Sequence, residues 1–249
     1  MPKKKKTHAK THNKPSKQGK SREGEVKTKL TTPSEFKTLL ETNICHTSQS
    51  KSTKTELQGQ LLHDGIFFVN HFLTPKECQS IIQATESIGY TLTDQRETQG
   101  FARRRNGRLQ CTTPMVADRL WRRCRHLFEQ QHDADPVGLS SNFRFYKYEP
   151  GDRFGLHVDD SVEHDGGSTY YTLLFYLNGS NRSTLKGGST NFYTGGSPKK
   201  AKLVVSVEPR EGGALVHAHY PDCLLHEGGV VLEGTKYLMR TDVVYQLRR

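Results

Sequence analysis

No run of eighteen or more apolar residues occurs anywhere in the 249-residue chain, so no helical membrane span is expected. The first thirty residues also lack the apolar stretch of a secretory signal, being charged where it would have to lie. The chain is therefore expected in the cytoplasm, the nucleus or both, with no membrane partner. Paired cysteines are missing as well. Cys45, Cys78, Cys111, Cys124 and Cys223 are odd in number, scattered and free of any CxxC spacing, which argues against a disulfide framework or a zinc knuckle and for reduced, mostly buried thiols.

What is present is unevenly spread. Of the net charge of +11, nine charges fall in residues 1–30, where ten Lys and one Arg oppose only Glu23 and Glu25. That segment has a single Val and no aromatic residue, too little apolar surface to offset the entropy of ordering it. Residues 1–32 are expected to be a disordered Lys-rich tail. PKKKK (Pro2 to Lys6) can serve as a nuclear address, and the whole segment as a tether to nucleic acid, if it is not simply a solubilising tail. Residues 33–60, rich in Ser, Thr and Lys, read as a linker in which SEFKTLLE supplies a helical turn or two.

The folded part begins near Leu61. GIFFVNHFL has the β-branched and aromatic content of a strand. TPKECQSIIQATESIG follows with Thr74 as N-cap, Pro75 at the first helical position and Glu77 at the third, a capping box. A second helix is expected in PMVADRLWRRCRHLFEQ, where Val116, Leu120, Cys124 and Leu127/Phe128 form one stripe and the Arg-rich face opposite should be solvated. Between the two helices, FARRRNGRLQC reads as a basic loop that is solvated, folds over a substrate, or presents Arg103, Arg104, Arg105, Asn106 and Arg108 to an acidic partner or nucleic-acid backbone. We place a helical support region at 61–140. From residue 141 to 249 eight short β-type runs are punctuated by glycine: NFRFYKY, FGLHVD, TYYTLLFYLN, STNFY, AKLVVSV, GALVHA, CLLHE and KYLMRTDVVYQL. The fold class expected is mainly β with flanking helices (α+β), the core an antiparallel jelly roll.

Chemistry concentrates in FGLHVDDS. On a strand, residues i and i+2 share a face, so His157 and Asp159 would project together. His226, in LLHEGG, can return on a neighbouring strand as a third ligand. Two imidazoles and one carboxylate on one side of an ion leave three octahedral positions open, which suits Fe(II) with a bidentate cosubstrate and O2. Zinc would need only one open position. A 2-oxo dicarboxylate chelating that iron would need a buried cation for its far carboxylate. Lys236 and Arg240, on one face of one strand, are the candidates.

HVD (157–159), LNGS with KGGSTNFY (177–193) and HEGGVVLEGTKY (226–237) resemble the Fe(II)/2-oxoglutarate-dependent dioxygenase family, in its prolyl 4-hydroxylase-like branch. The resemblance covers roughly residues 61–247. It implies a double-stranded β-helix (jelly-roll, cupin-like) core, His157, Asp159 and His226 as iron ligands, and Lys236, in the G-x-K pattern, as the partner of the 2-oxoglutarate carboxylate. Arg240 stays open as an alternative, since some members of the superfamily carry the carboxylate-binding Arg about that far beyond the distal His. Tyr148, Tyr176 and Thr190 fall on motif positions that line the cosubstrate pocket. Fe(II), 2-oxoglutarate, O2 and ascorbate are the implied cofactors. The implied reaction hydroxylates a substrate C–H, such as a prolyl residue of an intracellular protein, with release of succinate and CO2. Nucleic-acid demethylation or hydroxylation by the same chemistry, and a non-catalytic binding module on the same fold, are the competing readings. His164 is expected to be a solvent-exposed loop residue. His217 and His219, an HxH pair, would suit a cupin metal site only with a glutamate shortly after and a further histidine, but Glu227 is too far along and no His follows His226; one of the pair can line the site mouth, with a structural role at a strand end the expectation.

Overall fold

The computed structural model describes residues 33–44, 56–98, 101–129, 133–164, 167–195 and 197–248. The Lys-rich tail lies outside them. Within the described residues the elements run α1 (Pro33–Asn43), β1 (Gly59–His63), β2 (Ile66–Val69), α2 (Pro75–Ile88), β3 (Thr91–Gln95), β4 (Arg104–Thr112), α3 (Pro114–Cys124), β5 (Ala134–Leu139), β6 (Asn142–Tyr148), β7 (Arg153–His157), β8 (Glu163–His164), β9 (Gly167–Tyr176), β10 (Lys186–Gly187), β11 (Thr190–Thr194), β12 (Lys202–Val207), β13 (Ala214–Ala218), β14 (Leu225–Gly228), β15 (Val231–Glu233) and β16 (Lys236–Leu247). None of these helices is long and apolar enough to cross a membrane. All eight β-type runs read from the sequence are strands.

The main sheet is antiparallel in the order β1-β2-β13-β9-β16-β6-β4-β7-β14-β11-β12, and it curls until β1 approaches β12. This is the double-stranded β-helix expected. Alternation along each strand sorts side chains between two apolar clusters. Phe143 and Phe145 of β6, Leu173 and Phe175 of β9 and Met239 of β16 face the helices. Their neighbours Tyr146, Tyr148, Tyr176 and Leu238 face the inside of the barrel, with Phe192 and Leu215. The helices plug the outer face, so the barrel interior is left free to hold polar groups.

The capping box of α2 forms as read: the Glu77 amide donates to Thr74 Oγ1 at 3.2 Å and the Thr74 amide to Glu77 Oε2 at 2.8 Å. Three expectations are corrected. The linker contains a three-turn helix, α1, because Phe36, Leu40 and Ile44 recur every four residues and bury completely, Phe36 edge-on against Phe145 at 5.5 Å. The Arg-rich face of α3 is not simply solvated: Arg123 donates to the buried Glu77 carboxylate at 2.7 Å and Arg119 to the Glu41 carbonyl at 2.9 Å, tying α3 to α2 and α1. The basic stretch after Phe101 is no loop. It forms β4, paired with β3, β6 and β7, and with β2, β3 and β5 it makes the supposed helical support half sheet.

Because α1 completes the core, Phe36→Ala should lower the unfolding free energy by about 3 kcal/mol or more. Urea denaturation followed by tryptophan fluorescence measures this, and an unchanged midpoint would show that α1 unfolds independently of the barrel.

Candidate metal and cosubstrate site

β7 and β14 lie side by side with His157 and His226 as register partners. The imidazole Nδ1 atoms turn back to backbone carbonyls, His157 to Gly155 at 2.8 Å and His226 to Leu224 at 2.9 Å. A carbonyl can only accept, so each Nδ1 carries the proton and each Nε2 is left as a lone-pair donor facing inward. Asp159 stands two residues beyond the end of β7, not on it as the strand reading supposed. Its carbonyl accepts from the Tyr220 amide at 2.8 Å, which fixes this turn beside β13 and β14. Its carboxylate still meets the imidazoles: Oδ1 is 3.6 Å from His157 Nε2, and Oδ2 is 4.0 Å from His226 Nε2. One donor atom from each of the three falls within 4.8 Å of the others, so the set can close around one ion.

Electrostatics keeps the donors in ligand form. Burial pushes the His157 imidazole down to about 3, helped by His226, and pushes His226 down as well, so both are neutral at physiological pH. Burial alone would raise Asp159, but the Arg240 guanidinium and the surrounding imidazoles outweigh it and hold the carboxyl well below the usual range. Arg240 Nη1 lies 3.0 Å from Asp159 Oδ2, and its other edge binds Asp242 Oδ1 through Nε at 3.1 Å and Nη2 at 3.0 Å. Thr172 Oγ1 also donates to Asp159 Oδ2, at 2.8 Å.

At another wall of the same pocket stands Lys236, 2% exposed. Its Nζ donates to the Gly188 carbonyl at 2.5 Å and lies 5.5 and 5.6 Å from the ring centres of Tyr148 and Tyr176. No carboxylate pairs with it among the described residues, and burial pushes its ammonium down to about 7. Gly188 has φ +71, and a Cβ there would stand 3.0 Å from Lys236 Cδ, so only glycine presents that carbonyl so closely. The Tyr176 hydroxyl pairs with Thr190 Oγ1 at 2.7 Å.

Of the residues singled out in the sequence, Tyr148, His157, Asp159, Thr190, His226, Lys236 and Arg240 line this one pocket. Tyr176 stands behind it through Thr190 and Lys236. His217, expected to be structural, also lines it, with Nε2 at 3.8 Å from Asp159 Oδ2, whereas His219 is spent on Thr169, Thr172 and Asp242. His217 shares the face of Leu215, two residues before it on β13, which points into the barrel interior. Arg104 and Thr172 line the pocket without having been assigned to it. Cys223 is a near neighbour, its Sγ accepting from the Asp159 amide at 3.3 Å, and with His217 and His226 it forms a second group of donors within 4.8 Å of one another.

Residues 143–241 match the family model of the 2OG-Fe(II) oxygenase superfamily. No curated protein matches it in sequence. Solved structures share the fold at low identity. The viral collagen prolyl hydroxylase of Paramecium Bursaria Chlorella virus-1, solved with 2OG, is 19% identical with a TM-score of 0.54, over 74% of this chain and 97% of that one. A prolyl hydroxylase from Trichoplax adhaerens, in complex with a hypoxia inducible factor peptide fragment, is 16% identical with a TM-score of 0.52, over 85% and 91%. A 2OG-Fe(II) oxygenase family oxidoreductase from Burkholderia pseudomallei is 10% identical with a TM-score of 0.52, over 91% and 93%.

Arg240 is the counterion of two buried carboxylates, so Arg240→Leu should cost about 3 to 5 kcal/mol of stability by stranding both. Chemical denaturation measures it; a loss under about 1 kcal/mol would mean that the pair is solvated.

Proposed function

We propose that this chain is an Fe(II)- and 2-oxoglutarate-dependent dioxygenase that hydroxylates a C–H bond of a protein residue, proline in the first instance. The observation that carries the reading is a pair of features in one pocket: three convergent neutral-or-anionic donors, and a buried lysine with no carboxylate of its own. His157, Asp159 and His226 fit a divalent ion by donor type and proximity. Lys236 is favoured over Arg240 as the anchor of the far carboxylate, because Arg240 is already committed to Asp159 and Asp242 whereas Lys236 is unpaired. Fe(II) held there supplies, with 2-oxoglutarate and O2, the oxidative decarboxylation that yields succinate and CO2 and places one oxygen atom on the substrate.

The chain's own residues set the stage for that chemistry. Gly155 and Leu224 carbonyls fix the tautomer of both imidazoles. Arg240 and Thr172 hold Asp159 Oδ2, which orients the carboxylate and keeps it ionised. Tyr148 and Tyr176 wall off the lysine from water, which strengthens its attraction for an incoming carboxylate. The prolyl preference is supported by the prolyl 4-hydroxylase-like motifs and by fold neighbours that are prolyl hydroxylases.

Two outcomes test the reading. Protein purified without oxygen, then given Fe(II), 2-oxoglutarate, ascorbate and O2, should form succinate; His157→Ala should abolish this, and Lys236→Ala should restore it only at much higher 2-oxoglutarate. Failure both to turn over and to bind 2-oxoglutarate with Fe(II) would sink the enzyme reading. The second outcome concerns pH. Lys236, lowered to about 7 in the free pocket, is charged below that pH and neutral above it, while a bound carboxylate favours the ammonium. Affinity for 2-oxoglutarate should thus weaken by about tenfold per pH unit above about 8, with uptake of close to one proton on binding. Calorimetry in buffers of different ionisation enthalpy reads the proton directly.

A further inference from the structure

β4 carries three consecutive arginines around its start, and alternation sends them to different fates. Arg103 and Arg105 turn outward and are neutralised, Arg103 by Asp94 at 2.5 Å and Arg105 by Asp152 at 2.9 Å and Asp94 at 3.7 Å. Arg104 turns inward and lines the pocket of His157, Asp159 and His226. It has no carboxylate partner among the described residues. Its guanidinium lies over Phe154 at 4.4 Å and Tyr146 at 5.0 Å from the ring centres, and Phe154 in turn stacks on His157 at 3.7 Å. A cation held by its face against aromatic rings keeps its edges free, and the edge is where a guanidinium binds a carboxylate in two parallel hydrogen bonds.

Asn106, two residues on and on the same face, steadies the guanidinium. Arg104 Nε donates to Asn106 Oδ1 at 3.2 Å, and since guanidinium can only donate, the atom facing it must be the oxygen. The Nδ2 amide therefore faces elsewhere. Asn106 is 0% exposed, and Nδ2 has no acceptor among the described residues. Three cations line the pocket, Arg104, Lys236 and Arg240, against the single carboxylate of Asp159. Arg240 is matched by Asp159 and Asp242, and Lys236 awaits the cosubstrate. Lys236 lies over Tyr148 and Arg104 over Tyr146, two rings whose centres are 6.5 Å apart, which leaves Arg104 as the cation for a second ligand group.

We propose that Arg104, held in place by the Asn106 side chain, forms a carboxylate-recognition site, and that the substrate is a polypeptide carrying an acidic residue close to the residue that is oxidised. This rests on the reading of the pocket as an Fe(II)/2-oxoglutarate site acting on protein. The outer groove formed by Asp94, Arg96, Glu97, Arg103 and Arg153 mixes both signs and selects for neither.

The test uses the full chain with Fe(II), 2-oxoglutarate, ascorbate and O2. The probe is a peptide library blocked at both ends, with proline at the centre and randomised flanks, and peptides that gain one oxygen atom are sequenced by mass spectrometry. Fe(II)-dependent binding of 2-oxoglutarate is measured on every variant to show that the pocket is folded. The site predicts Asp or Glu enriched at one flanking position, enrichment lost in Arg104→Gln, and a switch to Lys or Arg in Arg104→Glu. For the best acidic peptide, kcat/KM should fall by about tenfold or more in Arg104→Gln and recover in part in Arg104→Lys. Oxidised peptides without acidic preference, or the same preference in Arg104→Gln, would overturn the proposal. So would a chain that binds 2-oxoglutarate yet oxidises no peptide in the library. Loss of 2-oxoglutarate binding by the native chain would instead bring down the reading of the pocket beneath it.

Discussion

The contact between Arg240 and Asp159 is the one on which the rest of the pocket depends. A carboxylate taken out of water into a barrel of aromatic and aliphatic walls pays several kcal/mol to stay ionised, and without a cation it would take up a proton and cease to be a ligand. Arg240 prevents this by spanning two carboxylates: one Nη reaches Asp159, while Nε and the other Nη grip Asp242. Asp242 in turn faces His219 and Arg144, so the guanidinium is fixed from behind. The Asp159 carboxylate is thus the inner end of a buried charge chain that runs through Arg240 and Asp242 to Arg144.

A single strand delivers three groups with different electrostatic tasks. Lys236, Leu238, Arg240 and Asp242 follow each other every second residue on the inner face of β16, between β9 and β6. Asp242 and Arg240 satisfy one another; Lys236, at the start of the strand, has no carboxylate within ion-pair distance among the described residues. Burying a lone ammonium is a stability cost that a protein does not need for folding, and such local violations concentrate where a ligand will later relieve them. The other inner-face cation, Arg104, is kept in place by rings instead of charge. The barrel therefore holds its cations by three means: ion pairing, confinement and stacking.

Much of this was legible in the sequence because period-two alternation and glycine punctuation are strong in residues 141–249, and because the three motifs carrying His157, Asp159, His226 and Lys236 keep their order and spacing. The helix after Thr74 announced itself by its capping box. β4 was not legible. Arg104, Asn106 and Arg108 occupy its inward face and Arg103 and Arg105 flank them, so a strand polar on both faces offers no apolar pattern to read. Its identity as a strand comes from pairing with β6 and β7, which no local window contains. His217 was misjudged for a similar reason, since a buried imidazole serving structure and one serving a site look alike until the barrel closes. The choice between Lys236 and Arg240 turned on Asp242 and Asp159, whose nearness to Arg240 is a property of closure and not of spacing. α1 was underestimated because its three apolar residues sit in a segment otherwise poor in them.

Gly188 has no side chain, no charge and no place among the donors, yet its carbonyl is the hydrogen-bond acceptor of Lys236, and its left-handed backbone makes that approach feasible. Any larger residue there would press on the lysine's own methylenes. In a survey of inherited or random variants, this position would behave as though it were part of the chemistry while looking like an ordinary turn. Under the proposed function its tolerance would track cosubstrate supply: a substitution silent in a cell rich in the dicarboxylate would show itself in a cell where that acid is scarce.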